Sequence, residues 1–306
     1  MKIELFKSVK SENMFMKRAV ACLILTMLLL FSSCSQDFSK DLIEKTENNN
    51  TTQKNSNLII DNGKTIDERF LPPEGFERTP LEPKSFGEYL RNIELKPIGS
   101  KVHYFDGFEK PSQVYDAVID IDVGTRDLQQ CADSVIRLRS EYLLKQGKYE
   151  QIHFNFTSGF RADYKKWRDG YRIEMTSGEA KWIKSSGLST SYQDFRKYLD
   201  IVYSYAGTAS LDKELKGIEV KDMQVGDVFI KGGSPGHCVI VTDMAVNKTT
   251  GEKVFMIAQG FIPAQDMHIL KNYNDKNISP WYYLDFGETL NTPEYSFTAE
   301  QLKRFP

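Results

Sequence analysis

Two short apolar runs, Val228-Phe229-Ile230 and Cys238-Val239-Ile240-Val241, flank the spacer Gly232-Gly233-Ser234-Pro235-Gly236. Glycine takes positive φ without steric cost and proline fixes its own φ, so the spacer reads as a turn and the unit as a β-hairpin. His237 opens the returning strand. Alternation places His237, Val239 and Val241 on one face and Cys238 and Ile240 on the other. The same period predicts strands over 114–123, 151–157 and 253–259, and an edge strand over 280–286. In the first, Tyr115, Ala117, Ile119, Ile121 and Val123 oppose Asp116, Asp120 and Asp122, which read as a solvated face or, less simply, a cation site. In the third, Phe255, Ile257 and Gln259 share a face, and a polar Gln259 ending an apolar strand requires a partner.

Helical spacing appears over 127–144, where Leu128, Cys131, Val135, Leu138 and Tyr142 form one stripe. Asp127 and Gln130 have capping-box spacing, which predicts a helix start at Asp127 and puts Cys131 in its first turn. A second helix is predicted over 191–206, with Phe195, Tyr198, Leu199, Val202 and Tyr205 inward. Short helices are expected over 86–93 and 208–216, and a helical turn within 298–305. Residues 158–190 lose periodicity, so 158–206 reads as a long insertion. Its Trp167, Tyr171, Arg172 and Trp182 fit a groove for peptide or sugar and equally a satellite core.

The N-terminal pattern differs. Lys17-Arg18 precede an apolar run, Ala19–Phe31, that ends in Ser32-Ser33-Cys34. This reads as a secretory signal, too short for a convincing membrane span. The small-small-Cys ending resembles a bacterial lipobox, which implies lipidation of Cys34 and anchoring of the mature chain to the outer membrane, on its periplasmic or outer face. The plainer alternative is a cleaved signal with Cys34 incidental. Translation starts at Met1, Met14 or Met16. Residues 35–57 are polar and Asn/Thr/Lys-rich, which predicts a flexible tether over 35–64 ahead of one domain over 65–306.

Composition narrows the function. A formal charge of −2 over 306 residues gives no reason to expect nucleic acid as a partner. The reading is of a monomer without cofactor or metal, since no HxxxH or CxxC spacing accompanies His153, His237 or His268. Of the 4 cysteines, Cys131 and Cys238 fall in the folded part. Cys238 faces away from His237, so no Cys131–Cys238 bridge is expected. Cys131 itself reads either as a small buried hydrophobe or as a thiol acidified by a helix start.

A cysteine at a helix start, Gly226-Asp227 before a strand, Gly236-His237 opening the next, and Gln259 ending the third resemble the papain-like superfamily, most closely its NlpC/P60 and CHAP branches. Those branches carry Asp-Cys-Ser-Gly where this chain has Gln130-Cys131-Ala132-Asp133. The resemblance implies an α+β, papain-like (NlpC/P60-like) fold, an antiparallel sheet packed on a Cys-bearing helix, here with extra helices. It further implies a thiol amidase or peptidase with Cys131 as nucleophile, His237 as base, Gln259 as orienting residue and Gln130 beside the substrate. An envelope peptide such as a peptidoglycan stem would be cleaved. The alternative is the same fold without catalysis, binding glycan or peptide through Trp167, Tyr171, Arg172 and Trp182. Across most of 70–283, DLQQCADSVIRLRSEYL, YAGTASL, GGSPGH and PAQDMHILKN resemble a family of lipoproteins from Bacteroidetes-type bacteria, the domain of unknown function 4846. That likeness implies an envelope location and no assigned reaction.

Overall fold

The alternating segments around His237 assemble into the centre of an antiparallel sheet. In the computed structural model, residues 58–306 are described; the signal segment, Cys34 and residues 35–57 lie outside them. The described residues belong to one unit.

In chain order the elements begin with α1 (Ile66–Arg69), β1 (Phe76–Arg78), α2 (Phe86–Arg91), β2 (Tyr115–Val118) and α3 (Cys131–Lys145). Next come β3 (His153–Asn155), β4 (Arg161–Asp163), α4 (Tyr164–Arg168), β5 (Tyr171–Thr176), β6 (Glu179–Lys184), α5 (Tyr192–Tyr205) and α6 (Thr208–Glu214). The rest are strands with short connections: β7 (Lys216–Gly217), β8 (Val228–Lys231), β9 (His237–Asn247), β10 (Lys253–Gln259), β11 (His268–Leu270), β12 (Tyr282–Tyr283), β13 (Thr289–Asn291), β14 (Ser296–Thr298) and β15 (Leu302–Arg304).

The main sheet runs β2-β11-β10-β9-β8-β15-β7, with β1 also paired to β9 and β12 to β10. The fold is therefore α+β. Lys231 opposes His237 across the hairpin, and Gln259 opposes His268. The two faces of β9 and β10 enter different cores, as alternation requires. Cys238, Ile240, Val254, Met256 and Ala258 pack with α3 and α5. Val239, Val241, Phe255 and Ile257 pack with Leu290 and Phe297 of the β13–β14 hairpin.

Several expectations need correction. Residues 58–64 belong to the fold and not to the tether: Leu58 is 6% exposed, and Ile60 N–H donates to Arg69 O at 2.8 Å. The strand over 114–123 is shortened to β2, and an irregularity opposite Ile269/Leu270 interrupts its alternation. Tyr115 consequently faces the β13–β14 side while Ala117 faces the helices. Residues 158–190 contain regular structure, namely β4, α4 and the β5–β6 hairpin. Ser177 and Gly178, both at positive φ (50° and 87°), turn that hairpin between Thr176 and Glu179. In α5, Tyr203 is buried and Tyr205 is 37% exposed, the reverse of the predicted inward position. The end of the chain forms a short 3-10 turn and then β15, which inserts beside β8.

Candidate functional site

The site is built where the start of α3 meets the ends of β9 and β10. α3 starts at Cys131, with Gln130 as its N-cap, and not at Asp127. The Asp133 carboxylate accepts from Gln130 N–H at 3.1 Å, so the cap lies three positions later than Asp127-Gln130 suggested. Asp127 instead ties the helix start to the chain beyond β10. Its Oδ1 accepts from Gln130 Nε2 at 3.0 Å and from Ala264 N–H at 2.7 Å. Gln130 thus spends its side chain on Asp127.

Gly260, just after β10, makes this junction tight. A Cβ there would collide with Ser134 Oγ and lie 3.0 Å from Gln130 O. Only a residue without a side chain lets the first turn of α3 come this close to the strand carrying Gln259.

Cys131, His237 and Gln259 come together at this junction. Cys131 is 4% exposed, and His237 and Gln259 are each 2% exposed. The Cys131 thiol is held below its ordinary pKa, first by hydrogen bonding with Cys238, against the opposing cost of burial, and then by pairing with His237 and the Ala132 amide. An N–H at a helix start and an imidazole both favour thiolate. Burial raises Cys238, which also faces the Cys131 charge. The hydrogen bond between these two sulfurs thus lowers Cys131 and raises Cys238. Both thiols are free. Cys238 faces the helix side, on which Cys131 stands, so Cys131 meets both Cys238 and the ring of His237. Asp133 is pushed well above the usual carboxylate range, chiefly by burial, and its Oδ1 has no hydrogen-bond partner.

The imidazole is oriented from behind. His237 Nε2–H donates to Gln259 Oε1 at 2.8 Å, which leaves Nδ1 for the sulfur. The Gln259 amide nitrogen donates to Glu294 Oε2 at 2.7 Å and to His268 Nε2 at 3.2 Å. His268 in turn donates from Nδ1 to Asp266 O at 2.9 Å. Burial lowers the His268 pKa to about 3, so this ring stays neutral. Lys110 Nζ closes the chain on Glu294 Oε1 at 2.7 Å. Phe261, Tyr295 and Phe297 pack around the His237 ring at 4.9, 5.1 and 6.0 Å.

Lys110, Glu294, Phe261 and Tyr295 carried no readable signal, because they sit on irregular connections with no period. Only the polar end of β10 pointed toward partners of this kind. Gly226-Asp227 does not reach the site: Asp227 is 1% exposed and ion-pairs with Arg304 at 2.6 Å, fastening β15.

The proposed groove residues are placed elsewhere. Trp167 is 4% exposed, its indole N–H donates to Asp194 Oδ2 at 3.1 Å, and Arg172 lies 4.3 Å over its ring. Arg172 also pairs with Asp194 at 2.9 Å. Trp182 packs on Phe160 at 5.8 Å, and Lys166 and Lys184 lie 5.2 and 4.8 Å from the Tyr171 ring. Trp167 is a core residue and cannot stack on a ligand. Asp116, offered as part of an aspartate face, accepts from Ser279 Oγ at 2.9 Å. Among the described residues, no group of three or more His, Cys, Asp or Glu side chains could hold a metal ion. No helix among them is long and apolar enough to cross a membrane.

Comparison with curated proteins and with solved structures finds no match. A family model does match, over residues 66–304, and so covers nearly all the described elements, the Cys131–His237–Gln259 junction included. The chain belongs to the family described as domain of unknown function (4846).

Proposed function

We propose that this chain is an envelope lipoprotein, anchored through Cys34, whose domain is a papain-like thiol amidase or peptidase acting on envelope peptide. The observation that carries the reading is the meeting of an acidified Cys131 at a helix start with His237, itself oriented by Gln259. A thiol hydrolase needs these parts: a nucleophile, a base within hydrogen-bond reach, and a group that holds the base. The Cys131 thiolate attacks the amide carbonyl, and the imidazolium of His237 protonates the leaving amine. Water, deprotonated by His237, then releases the acyl group from sulfur. Backbone N–H groups at the start of α3 are available to the developing oxyanion. The NlpC/P60 and CHAP likeness and the peptidoglycan stem as substrate class rest on the sequence resemblance. Burial of both reacting groups means that a substrate carbonyl reaches the sulfur only after side chains around it move.

That burial also favours a second reading, a binding module in which the thiol is a core residue. Incubation with stem peptides of the cell wall, followed by mass spectrometry, separates the two. The enzyme reading predicts cleaved amides and an acyl adduct on Cys131, both lost in Cys131→Ala. Intact peptides at all pH values, under conditions where the protein binds them, support the module.

A further inference from the structure

We infer that Glu294, held by Lys110, is a positioning residue that sets the charge state of His237 through Gln259. This rests on the thiol reading above and extends it to side chains that neither face the thiol nor belong to the resemblance.

An amide side chain can present either end, and its neighbours decide which. Glu294 Oε2 is an acceptor only. His268 Nε2 is also an acceptor, because the ring's one proton is committed at Nδ1 to Asp266 O. With two acceptors at 2.7 and 3.2 Å, the Gln259 amino group turns toward them. Its carbonyl oxygen then faces His237, which must donate from Nε2. The tautomer that leaves Nδ1 open to Cys131 is thus dictated by Glu294 and His268.

Charge follows the same path. The Glu294 carboxylate lies one amide beyond the imidazole and favours the imidazolium, while Lys110, whose side chain is 4% exposed, balances it at 2.7 Å. The other titratable groups around this cluster are the exposed Lys231, opposite His237 across the hairpin, Cys131 and Asp133 from α3, Cys238 from β9, His268 from β11, and Tyr115 and Tyr295, whose rings lie 5.4 Å from His268 and 5.1 Å from His237. Asp266 is taken by Lys96 at 3.0 Å. Among the described residues, Glu294 and Lys110 are therefore the opposed charges that act on His237 from behind.

Their removal moves the imidazole in opposite directions. Glu294→Gln leaves Lys110 unbalanced, and the pH at which His237 loses its proton falls. Lys110→Met leaves Glu294 unbalanced and raises it by a similar amount. The double variant returns close to the parent. The readout is the titration of the His237 ring by NMR in the purified histidine-labelled protein, assigned by the loss of its signals in His237→Asn. A role limited to holding the fold would move both single variants the same way, and that result, or no movement in either, overturns the inference. The underlying thiol reading is judged separately in the same spectra: Cys131→Ala must shift the His237 titration. If it does not while the two charge variants still shift in opposite directions, the positioning role stands and the nucleophile assignment fails.

Discussion

The end of the sheet around His237 and the segment from Tyr149 to Tyr205 are both rich in aromatic side chains, yet they use them differently. In the segment, the Trp and Arg side chains that stand out in the sequence find neutralising or covering partners within the same stretch. Arg172 has Asp194 and the face of Trp167, and Lys166 lies over Tyr171 and Trp182. Ile152, Phe154, Tyr164, Trp167 and Tyr198 join the core under α3. At the sheet end, aromatic rings pack around a polar chain, from Lys110 through Glu294, Gln259 and His237 to Cys131, that terminates at a thiol. Composition cannot separate the two regions. What separates them is whether the polar groups close on one another or lead somewhere.

The largest effect expected from breaking this contrast is on the aromatic segment. Trp167→Ala removes a buried indole and should cost about 3–5 kcal/mol, read from chemical denaturation, with Cys131 alkylation in the folded protein unchanged. A change in Cys131 reactivity would tie the segment to the site and dissolve the distinction. Gly260→Ala should act on the junction itself. Its Cβ would collide with Ser134, which lies one turn along α3 from Gln130. The expected loss is about 1–3 kcal/mol, accompanied by loss of thiol reactivity at low pH, since the helix start is pushed off β10.

The smallest effect concerns Glu214, which faces β3 and accepts from Asn155 N–H at 2.7 Å. Burial raises its pKa to about 7. The folded state therefore keeps a proton that the unfolded state, titrating near the ordinary 4.5, has lost. The contribution of this carboxyl to stability is complete below about pH 4.5 and declines as pH rises toward about 7. Melting temperatures measured across that window should show a slope that Glu214→Gln flattens, while a slope unchanged by the substitution would place the dependence elsewhere.

How much of this is legible in the sequence follows from where period and chemistry coincide. The β8–β9 hairpin, the facing of Cys238 against His237, and β10 ending in Gln259 are readable, because turn residues and strict alternation leave little choice. The α+β class follows from the same patterns. The start of α3 is misleading because Asp127-Gln130 has the spacing of a cap, while the actual cap uses Gln130 and Asp133, with Asp127 spent on Ala264. The β5–β6 hairpin is hidden although Ser177-Gly178 marks its turn, since its Trp and Arg side chains resemble a binding surface and mask the alternation. Glu294 and Lys110 lie beyond sequence reasoning, because tertiary contact alone brings them to Gln259.

The central claim is that Cys131 and His237 act as a pair, and the most direct test is the rate of iodoacetamide alkylation of Cys131 in the native protein as a function of pH. The account predicts reaction well below the pH at which a free thiol ionises, near 8.5, and a fall of roughly 100-fold at pH 6 in His237→Ala. A Cys131 that resists alkylation until the protein is denatured, or that reacts equally with and without the imidazole, contradicts it.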